Sequence, residues 1–304
     1  MQFIYEGTDI TEHMEIRGCV HRDLSGGRAD SLELVVGNAA KWFAWGPKRD
    51  DKVLVSHNGY DTGTLFISMI LPEEGRYRLI ATATPSAVRR KAYGTYENIT
   101  LAGLMRACAA ECGMDWALFG LEGSIRYPFL LRKDEGVTAF LQRVLEMEGA
   151  TLKCLNGKLV AIGIEYAQEQ KAGQNIEIQS ATPGFFYRQR GGRWDSVTVM
   201  SPYGEGRAVD TAADTLESRI YTDLPAHDSL SAGRWARGLL LCHNRRAEEM
   251  EFVTPYNPGM TALARVDVTS VTDAAGEWVI DEAQHDFFKG STKVKMVRKI
   301  TSIS

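Results

Sequence analysis

Residues 52–84, KVLVSHNGYDTGTLFISMILPEEGRYRLIATAT, decide the fold class of this chain. In the last third of the stretch, apolar side chains alternate with mostly polar ones, which is the period of a half-buried β-strand; the apolar set is Tyr77, Leu79, Ala81 and Ala83. The pair Asn58-Gly59 predicts a tight hairpin, because both turn positions need a positive φ. Short strands at this regular spacing predict a small β-barrel or sandwich.

Length and composition place this stretch in a globular chain of several domains. The 304 residues are 44% hydrophobic and 24% charged, which is ordinary for folded proteins. Their length predicts two or three domains. The formal net charge of −4 gives no overall basic surplus for nucleic acid. Neither a signal peptide nor a membrane span is expected. The five cysteines are read as reduced thiols of a protein made in a cytoplasm.

The pattern changes to mixed helix and strand over residues 89–170. A first helix is predicted with Thr100 as its N-cap and Gly113 at its end. A second helix is predicted with Asp134 as its N-cap and Gly149 at its end. Asn156-Gly157 then predicts another hairpin. We interpret 1–88 as a first β domain and 89–170 as a small α+β domain.

Residues 171–304 return to β character around one helix. That helix is predicted over about residues 230–247, with Asp228 or Ser229 as its cap. The acidic segment 209–224 has no clear periodicity and is interpreted as a loop. Residues 171–304 are therefore predicted to be a second β domain with a helix.

No motif of an active site stands out in the sequence. The nucleophile elbow, the phosphate-binding loop and the zinc-binding His-Glu-x-x-His are absent. Cys108 and Cys112 have helical spacing, but they are better explained as core residues than as metal ligands. The pairs His21/Asp23 and His227/Asp228 are interpreted as surface or loop polarity. We therefore predict no enzyme, no catalytic residue, no metal and no cofactor.

Two aromatic clusters are the candidate interface residues. The first is Trp42, Phe43 and Trp45, which are either core or interface, where aromatic side chains are enriched. The second interleaves basic and aromatic residues in a way that could stack bases or bind phosphate, although two strands and their loop would look the same; it comprises Arg188, Arg190, Arg193 and Trp194.

The order of these segments resembles the baseplate hub proteins of contractile phage tails, the group of late control protein D and related tail proteins. The resemblance covers nearly the whole chain and is weakest over residues 181–224. It rests on loose patterns of hydrophobic, glycine and turn residues, namely NAAKWFAWGP (38–47), DDKV (50–53), GTLFIS (63–68), the helix at 100–113, RKDEGV (132–137), CLNGKLV (154–160), the helix at 228–247, the turn at 257–260, and the strands near 278–286 and 293–298.

This resemblance implies an α+β, β-rich fold with two tail-tube-like β-barrel or sandwich domains and a small α+β domain between them. It implies a virion structural protein, made in the bacterial cytoplasm and assembled into the baseplate of a phage or another contractile injection system. Three copies would form a ring whose duplicated domains match a sixfold tube to a threefold spike. The expected partners are the chain itself as a homotrimer, a separate spike protein, the tail tube or tube-initiator protein, a tape-measure protein and the baseplate wedge. Neither a membrane nor a specific nucleic acid is expected.

Two other interpretations remain open at the level of sequence. A tail-associated cell-wall hydrolase would need a carboxylate pair, which the acidic residues 210–217 could supply. A nucleic-acid or other binding module would use residues 188–194, and its affinity would fall steeply with salt.

Overall fold

A computed structural model describes residues 1–37, 46–189, 192–270 and 273–304. Its first part is a series of strands with one 3₁₀ turn near the start (Thr11–His13) and another after the last strand (Ser86–Arg89). The strands are β1 (Gln2–Tyr5), β2 (Thr8–Asp9), β3 (Glu15–Leu24), β4 (Ser31–Gly37), β5 (Lys52–His57), β6 (Tyr60–Asp61), β7 (Leu65–Glu73) and β8 (Arg76–Thr82).

The second part alternates strands with helices. Its helices are α1 (Leu101–Glu111), α2 (Val137–Met147) and α3 (Ile164–Glu169). Its strands are β9 (Ala92–Thr100), β10 (Asp115–Phe119), β11 (Arg126–Glu135), β12 (Ala150–Leu155) and β13 (Lys158–Gly163).

The third part has a single long helix, α4 (Ser229–Asn244). Its strands are β14 (Gln174–Ile178), β15 (Phe186–Gln189), β16 (Ser196–Ser201), β17 (Gly204–Val209), β18 (Ser218–Tyr221), β19 (Glu248–Pro255), β20 (Arg265–Ser270), β21 (Gly276–Asp286) and β22 (Ser291–Arg298). The predicted loop at 209–224 was wrong in part, because it contains β18, which pairs in parallel with β16 in a separate sheet of three strands, β17-β16-β18.

One sheet joins the two ends of the chain. Its main path runs β15-β19-β22-β21-β3-β4-β8-β7-β5-β1-β2, and β21 and β3 pair where the C-terminal strands meet the N-terminal ones. The prediction of a mostly β protein with few helices is confirmed. The two terminal β segments share this continuous sheet, and within the described residues it does not close into a barrel.

Local signals account for most helix and hairpin ends. The hydroxyl of Thr100 accepts a hydrogen bond from the backbone N–H of Gly103 at 3.0 Å, so the predicted cap of α1 is confirmed. Asp228 caps α4 in a reciprocal box with Ser231. The predicted cap of α2 was wrong: Asp134 belongs to β11, and Gly136 stands at the N-cap without a side-chain bond.

The core is shared between the parts of the chain. Buried side chains of the N-terminal strands, of α1 and α2 and of the inner face of α4 form one hydrophobic cluster. A second cluster lies under β19 to β22 and contains Trp278 and Phe252. No helix in the part of the chain that the structure describes is long and apolar enough to cross a membrane.

Candidate functional site

The first predicted interface cluster is not described by the structure. Trp42, Phe43 and Trp45 lie outside the described residues, and so does Arg190 of the second cluster. Their assignment as interface residues stays a prediction. The other members of the second cluster are placed, and each has a partner within the chain.

Arg188 lies on β15, at the end of the large sheet. It is directly opposite Glu249 on β19, and the two side chains form an ion pair. The carboxylate of Glu249 also forms an ion pair with the ammonium of Lys295, at 3.3 Å. Two cations therefore share one carboxylate, whose side chain is only 3% exposed.

Arg193 and Trp194 hold the chain against the C-terminal end of α4. Arg193 lies 3.6 Å from Glu248 and 3.9 Å from Asp210. The ring of Trp194 stacks on His243, with centroids 3.4 Å apart. Phosphate attraction needs uncompensated positive charge, so these pairs do not favour nucleic-acid binding by residues 188–194.

Complementary charges cover the solvent-facing side of the large sheet. Strand by strand, acids alternate with bases: Lys293 pairs with Glu251 at 3.0 Å, and Arg78 lies 3.2 Å from both Glu33 and Glu73. Exposed pairs of this kind contribute little to stability. Their combined effect is a polar face with little net charge.

At the two ends of this path of eight strands, all of β15 and part of β7 have an edge without a partner strand among the described residues. Within the described residues, β15 pairs only with β19. Among the described residues, β7 pairs with β5 only through Leu65 and Phe66, so residues 68–73 have no described strand on that side. Each edge carries exposed apolar side chains, Phe186 on β15 and Met69 on β7, at 53% and 49% exposure. An edge of this type is a template for pairing with another chain.

A buried ion-pair cluster ties the second part of the chain to the first. The ammonium of Lys153, on β12, donates to Asp23 Oδ1 at 2.5 Å and to Asp30 Oδ2 at 2.8 Å. The other oxygen of Asp23 accepts the backbone N–H of Ala262 from the third part at 2.8 Å. The cluster therefore connects all three parts.

Burial and mutual charge shift the pKa values in this cluster. Burial, together with the charge of Asp23, raises the pKa of Asp30 to about 6 against the effect of Lys153. Burial also opposes ionisation of Asp23, yet the ammonium of Lys153 holds the pKa of Asp23 below its usual value. The two acids raise the pKa of Lys153 in spite of its burial. The two buried carboxylates thus depend on the same ammonium group for their charge balance.

A group of histidine and aromatic rings lies beside this cluster. The prediction that His21 and Asp23 are surface or loop residues was wrong, since both are buried where β3 meets β21. His21 Nδ1 lies 2.9 Å from the hydroxyl of Tyr60, whose ring is 4.3 Å from that of His285. His21 Nε2 has no hydrogen-bond partner in the described structure. Burial lowers the pKa of His21 to about 3, so the ring is neutral.

Neither group, as the described residues form it, has the arrangement of a metal site. The described residues contain no group of three or more His, Cys, Asp or Glu side chains that could hold a metal ion. Cys108 and Cys112 are both buried, in agreement with their interpretation as core residues. The sequence did contain one signal for the buried cluster: Lys153 interrupts an otherwise apolar strand before the Asn156-Gly157 turn.

Comparison by sequence finds no relatives: no family model and no curated protein matches this chain. Solved structures do match. The tail protein from Neisseria meningitidis is 12% identical with a TM-score of 0.76, over 98% of this chain and 96% of that one. The 43 kDa tail protein of prophage MuSo2 from Shewanella oneidensis is 14% identical with a TM-score of 0.75, over 98% and 97%.

A component of a secretion machine has the same arrangement with lower similarity. The E. coli c3393 protein belongs to the type VI secretion system and resembles the T4 bacteriophage tail proteins gp27 and gp5. It is 10% identical to this chain with a TM-score of 0.59, over 98% of this chain and 77% of that one. The chain therefore has a phage-tail-related fold.

Proposed function

We propose that this chain is a structural baseplate hub protein of a contractile tail, whose three copies form a ring between the tail tube and the central spike. The observation that carries the proposal is the match of nearly the full chain to two phage tail proteins. Resemblance to the late control protein D group supports the narrower assignment. The role is non-enzymatic, and the virion or a phage-tail-like particle is the place of assembly.

The open edges of the sheet supply a way to close such a ring. Every pairing along the eight strands from β15 to β7 is antiparallel, so the two terminal strands run in opposite directions. When a second copy is placed edge to edge, its β7 meets β15 in the antiparallel sense. The same contact repeated in one direction closes into a ring.

Charge on the solvent-facing side of the sheet is compatible with a channel. The alternating ion pairs leave few unpaired cations that would hold a polyanion in transit. In the ring, this face would point inward, and the helices and smaller sheets would lie outside. The three-domain division at residues 88 and 170 is part of the same proposal, with the two terminal β segments as the tube-like units.

The test is the composition of the complex with a spike. The chain would be co-expressed with the spike protein encoded in the same gene cluster, and the mass would be measured by light scattering. A complex of three hub and three spike chains, with a ring in negative-stain images, is expected. A monomer that persists in the presence of both spike and tube proteins would overturn the proposal.

A further inference from the structure

A basic cleft lies beside the strand β12. Its volume is about 620 Å³, which is a common size for a ligand pocket. Its walls are the turn between β3 and β4, the 3₁₀ turn after β8 and the exposed side of α2. Leu152 and Cys154 form its floor. A cleft of this size has room for a short peptide segment.

The charge of the cleft is positive, although the whole chain has a net charge of −4. The charged lining residues are three arginines and one acid, namely Arg28, Arg89, Arg143 and Glu146. Arg143 is paired with Glu135 at 2.8 Å. Arg28 and Arg89 are exposed and form no ion pair within the described residues. The cleft therefore attracts a negatively charged ligand.

The floor of the cleft is the open edge of a sheet. β12 is the last strand of the sheet β10-β13-β12, and no strand among the described residues pairs with its other side. Leu155 and Lys158 flank the two-residue turn and face each other, so their backbone groups pair across the hairpin. Because this pairing alternates along an antiparallel strand, the N–H and C=O groups of Leu152 and Cys154 point away from β13.

The contacts of Leu152 support this direction and limit the part of the edge that is open. The backbone N–H of Leu152 donates to the side-chain oxygen of Gln142 on α2 at 2.9 Å, as it would to a neighbouring strand. A Cβ on Gly26 would lie 2.8 Å from the carbonyl oxygen of Leu152, so the turn before β4 covers the edge there. Cys154 lies two residues on and points the same way, into the cleft that it lines.

We infer that the cleft binds a short, extended, acidic segment of a partner protein, which adds to the open edge of β12. Backbone hydrogen bonds to Cys154 hold the segment as a strand, and its acidic side chains face Arg28 and Arg89. In this mode of recognition the sheet edge provides affinity and the surrounding pockets provide specificity. A nucleic acid would satisfy the arginines but would not pair as a strand with Cys154. The inference needs neither the ring nor the channel proposed above.

Binding of a labelled peptide pool tests the charge preference. The probe is a fluorescein-labelled pool of pentapeptides Glu-X-X-X-Glu, with X drawn from Ala, Val, Thr and Ser, and fluorescence anisotropy measures its binding to the full chain. An acid at each end brings one acid to the arginines in either direction of pairing. The pool should bind saturably. The matched Lys-X-X-X-Lys pool should bind about tenfold more weakly or worse, because like charges then meet.

Charge variants locate the binding in the cleft. Arg28→Glu/Arg89→Glu should weaken binding of the acidic pool about tenfold or more, because the attraction becomes repulsion. Arg126→Glu/Arg219→Glu makes the same change in net charge at exposed positions outside the cleft. This control should weaken binding by less than about twofold, because salt screens distant charges.

A variant that fills the cleft gives a second location test without a change in charge. Ala139 is an exposed lining residue on α2, so the ring of Ala139→Trp would occupy the cleft. Binding of the acidic pool should fall about tenfold or more through this clash. Ala110→Trp places the same ring at an exposed position of α1 outside the cleft and should leave binding unchanged.

The backbone of the peptide tests the strand pairing. A pool with N-methyl groups on its three central residues keeps both charges but loses N–H donors, and should bind about tenfold more weakly. In the wild-type chain, the acidic pool should slow amide exchange at Cys154 about tenfold, as measured by NMR. The amides of β10, at the other edge of the same sheet, should keep their exchange rates.

The outcomes separate strand addition from other uses of the cleft and from the proposed function. Binding that follows the arginines, the N-methyl groups and the Cys154 amide establishes the site. No saturable binding below about 1 mM, or binding that ignores N-methylation, overturns it. A labelled oligothymidylate that displaces the pool and depends on the same arginines also overturns it, in favour of nucleic acid. Failure of the three-copy complex with spike would overturn the hub proposal alone.

Discussion

His21 and His285 lie directly opposite each other on β3 and β21, at the pairing that joins the N-terminal and C-terminal strands into one sheet. Both are buried, and the burial lowers the pKa of each below its ordinary value. Both ring nitrogens of His285 have a hydrogen-bond partner. Nδ1 lies beside the hydroxyl of Thr292, and Nε2 lies beside the carbonyl oxygen of Met260. The junction between the two β segments therefore depends on two neutral imidazoles.

We predict that acid weakens this junction and that His21→Gln reduces the effect. The pKa of His21 is about 3 in the folded chain and near 6.5 when unfolded, so the unfolded chain binds more protons between these values. The free energy of unfolding should fall as pH drops from about 6.5, by about 1.4 kcal/mol per pH unit from this group. Between pH 7 and 5, His21→Gln should lose about 2 kcal/mol less than the wild type in urea unfolding.

The control for this prediction is His13→Gln, because His13 is exposed. Its unfolding is measured at the same pH values, as a control for the loss of an exposed imidazole. Asp30, whose pKa is raised to about 6, acts in the opposite sense and stabilises the fold as pH falls through 6. That contribution is common to all three proteins and cancels in the comparison. If the free energy of unfolding depended on pH equally in His21→Gln and in the wild type, His21 would not be the group that weakens the junction in acid.

Replacing the buried Lys153 should lower the free energy of unfolding far more than replacing an exposed lysine. Lys153→Met leaves Asp23 and Asp30 buried without their ammonium, which should lower the free energy of unfolding by about 3–5 kcal/mol. Lys158→Met, at an exposed position of the neighbouring strand β13, should change it by less than about 0.5 kcal/mol.

A triple variant checks the cause of that loss. Lys153→Met combined with Asp23→Asn and Asp30→Asn removes the buried charges together, so chemical denaturation should show most of the stability returning. If the triple variant were no more stable than Lys153→Met, the loss of stability would come from the packing of the lysine side chain and not from the unbalanced buried charge.

Sequence reasoning succeeded where the cause of a structure lies within a few residues. The hairpins at Asn58-Gly59 and Asn156-Gly157 formed as predicted, with positive φ at all four residues. The caps of α1 and α4 also follow from side chains next to the first turn. Asp134 failed as a cap because a positive φ and a register shift in β11 continue that strand to Glu135.

The features that connect distant segments could not be predicted in this way. His21 pairs with a strand more than 260 residues later, so nothing near it in sequence marks it as buried. Lys153 and its acids are separated by more than 120 residues. The polar side chains were visible, but which charge would meet which depends on the pairing of β3 with β21 and on the packing of β12.

Two glycines of α4 should respond to alanine in opposite directions. A Cβ at Gly238 would lie 2.2 Å from the carbonyl oxygen of Met147 and 2.4 Å from the backbone nitrogen of Gly149, so α4 would be pushed from the end of α2. Gly238→Ala should lower the free energy of unfolding by about 1–3 kcal/mol. A Cβ at Gly233 meets nothing within 4 Å, and Gly233→Ala should raise it by up to about 1 kcal/mol. Thermal or urea unfolding that gave both variants the same sign would contradict the close helix contact.

Ring closure through the sheet edges predicts that charge at both edges controls assembly but not folding. Met69 and Phe186 are exposed on β7 and β15, so lysine at either position should change the free energy of unfolding by less than about 0.5 kcal/mol. In Met69→Lys/Phe186→Lys, the two lysines come from adjacent copies and repel, and the three-copy complex with spike should lose most of its yield.

The matched partner is Met69→Lys/Phe186→Glu, in which opposite charges meet and the yield of the three-copy complex should recover. Tyr93→Lys provides the control for an added surface charge, because Tyr93 is 77% exposed on β9, outside this sheet. Light scattering measures the yield, and circular dichroism checks that every variant is folded. Rings formed in full yield by the double-lysine chain would exclude these edges as the contact between copies, because that contact would have to bury two ammonium groups against each other.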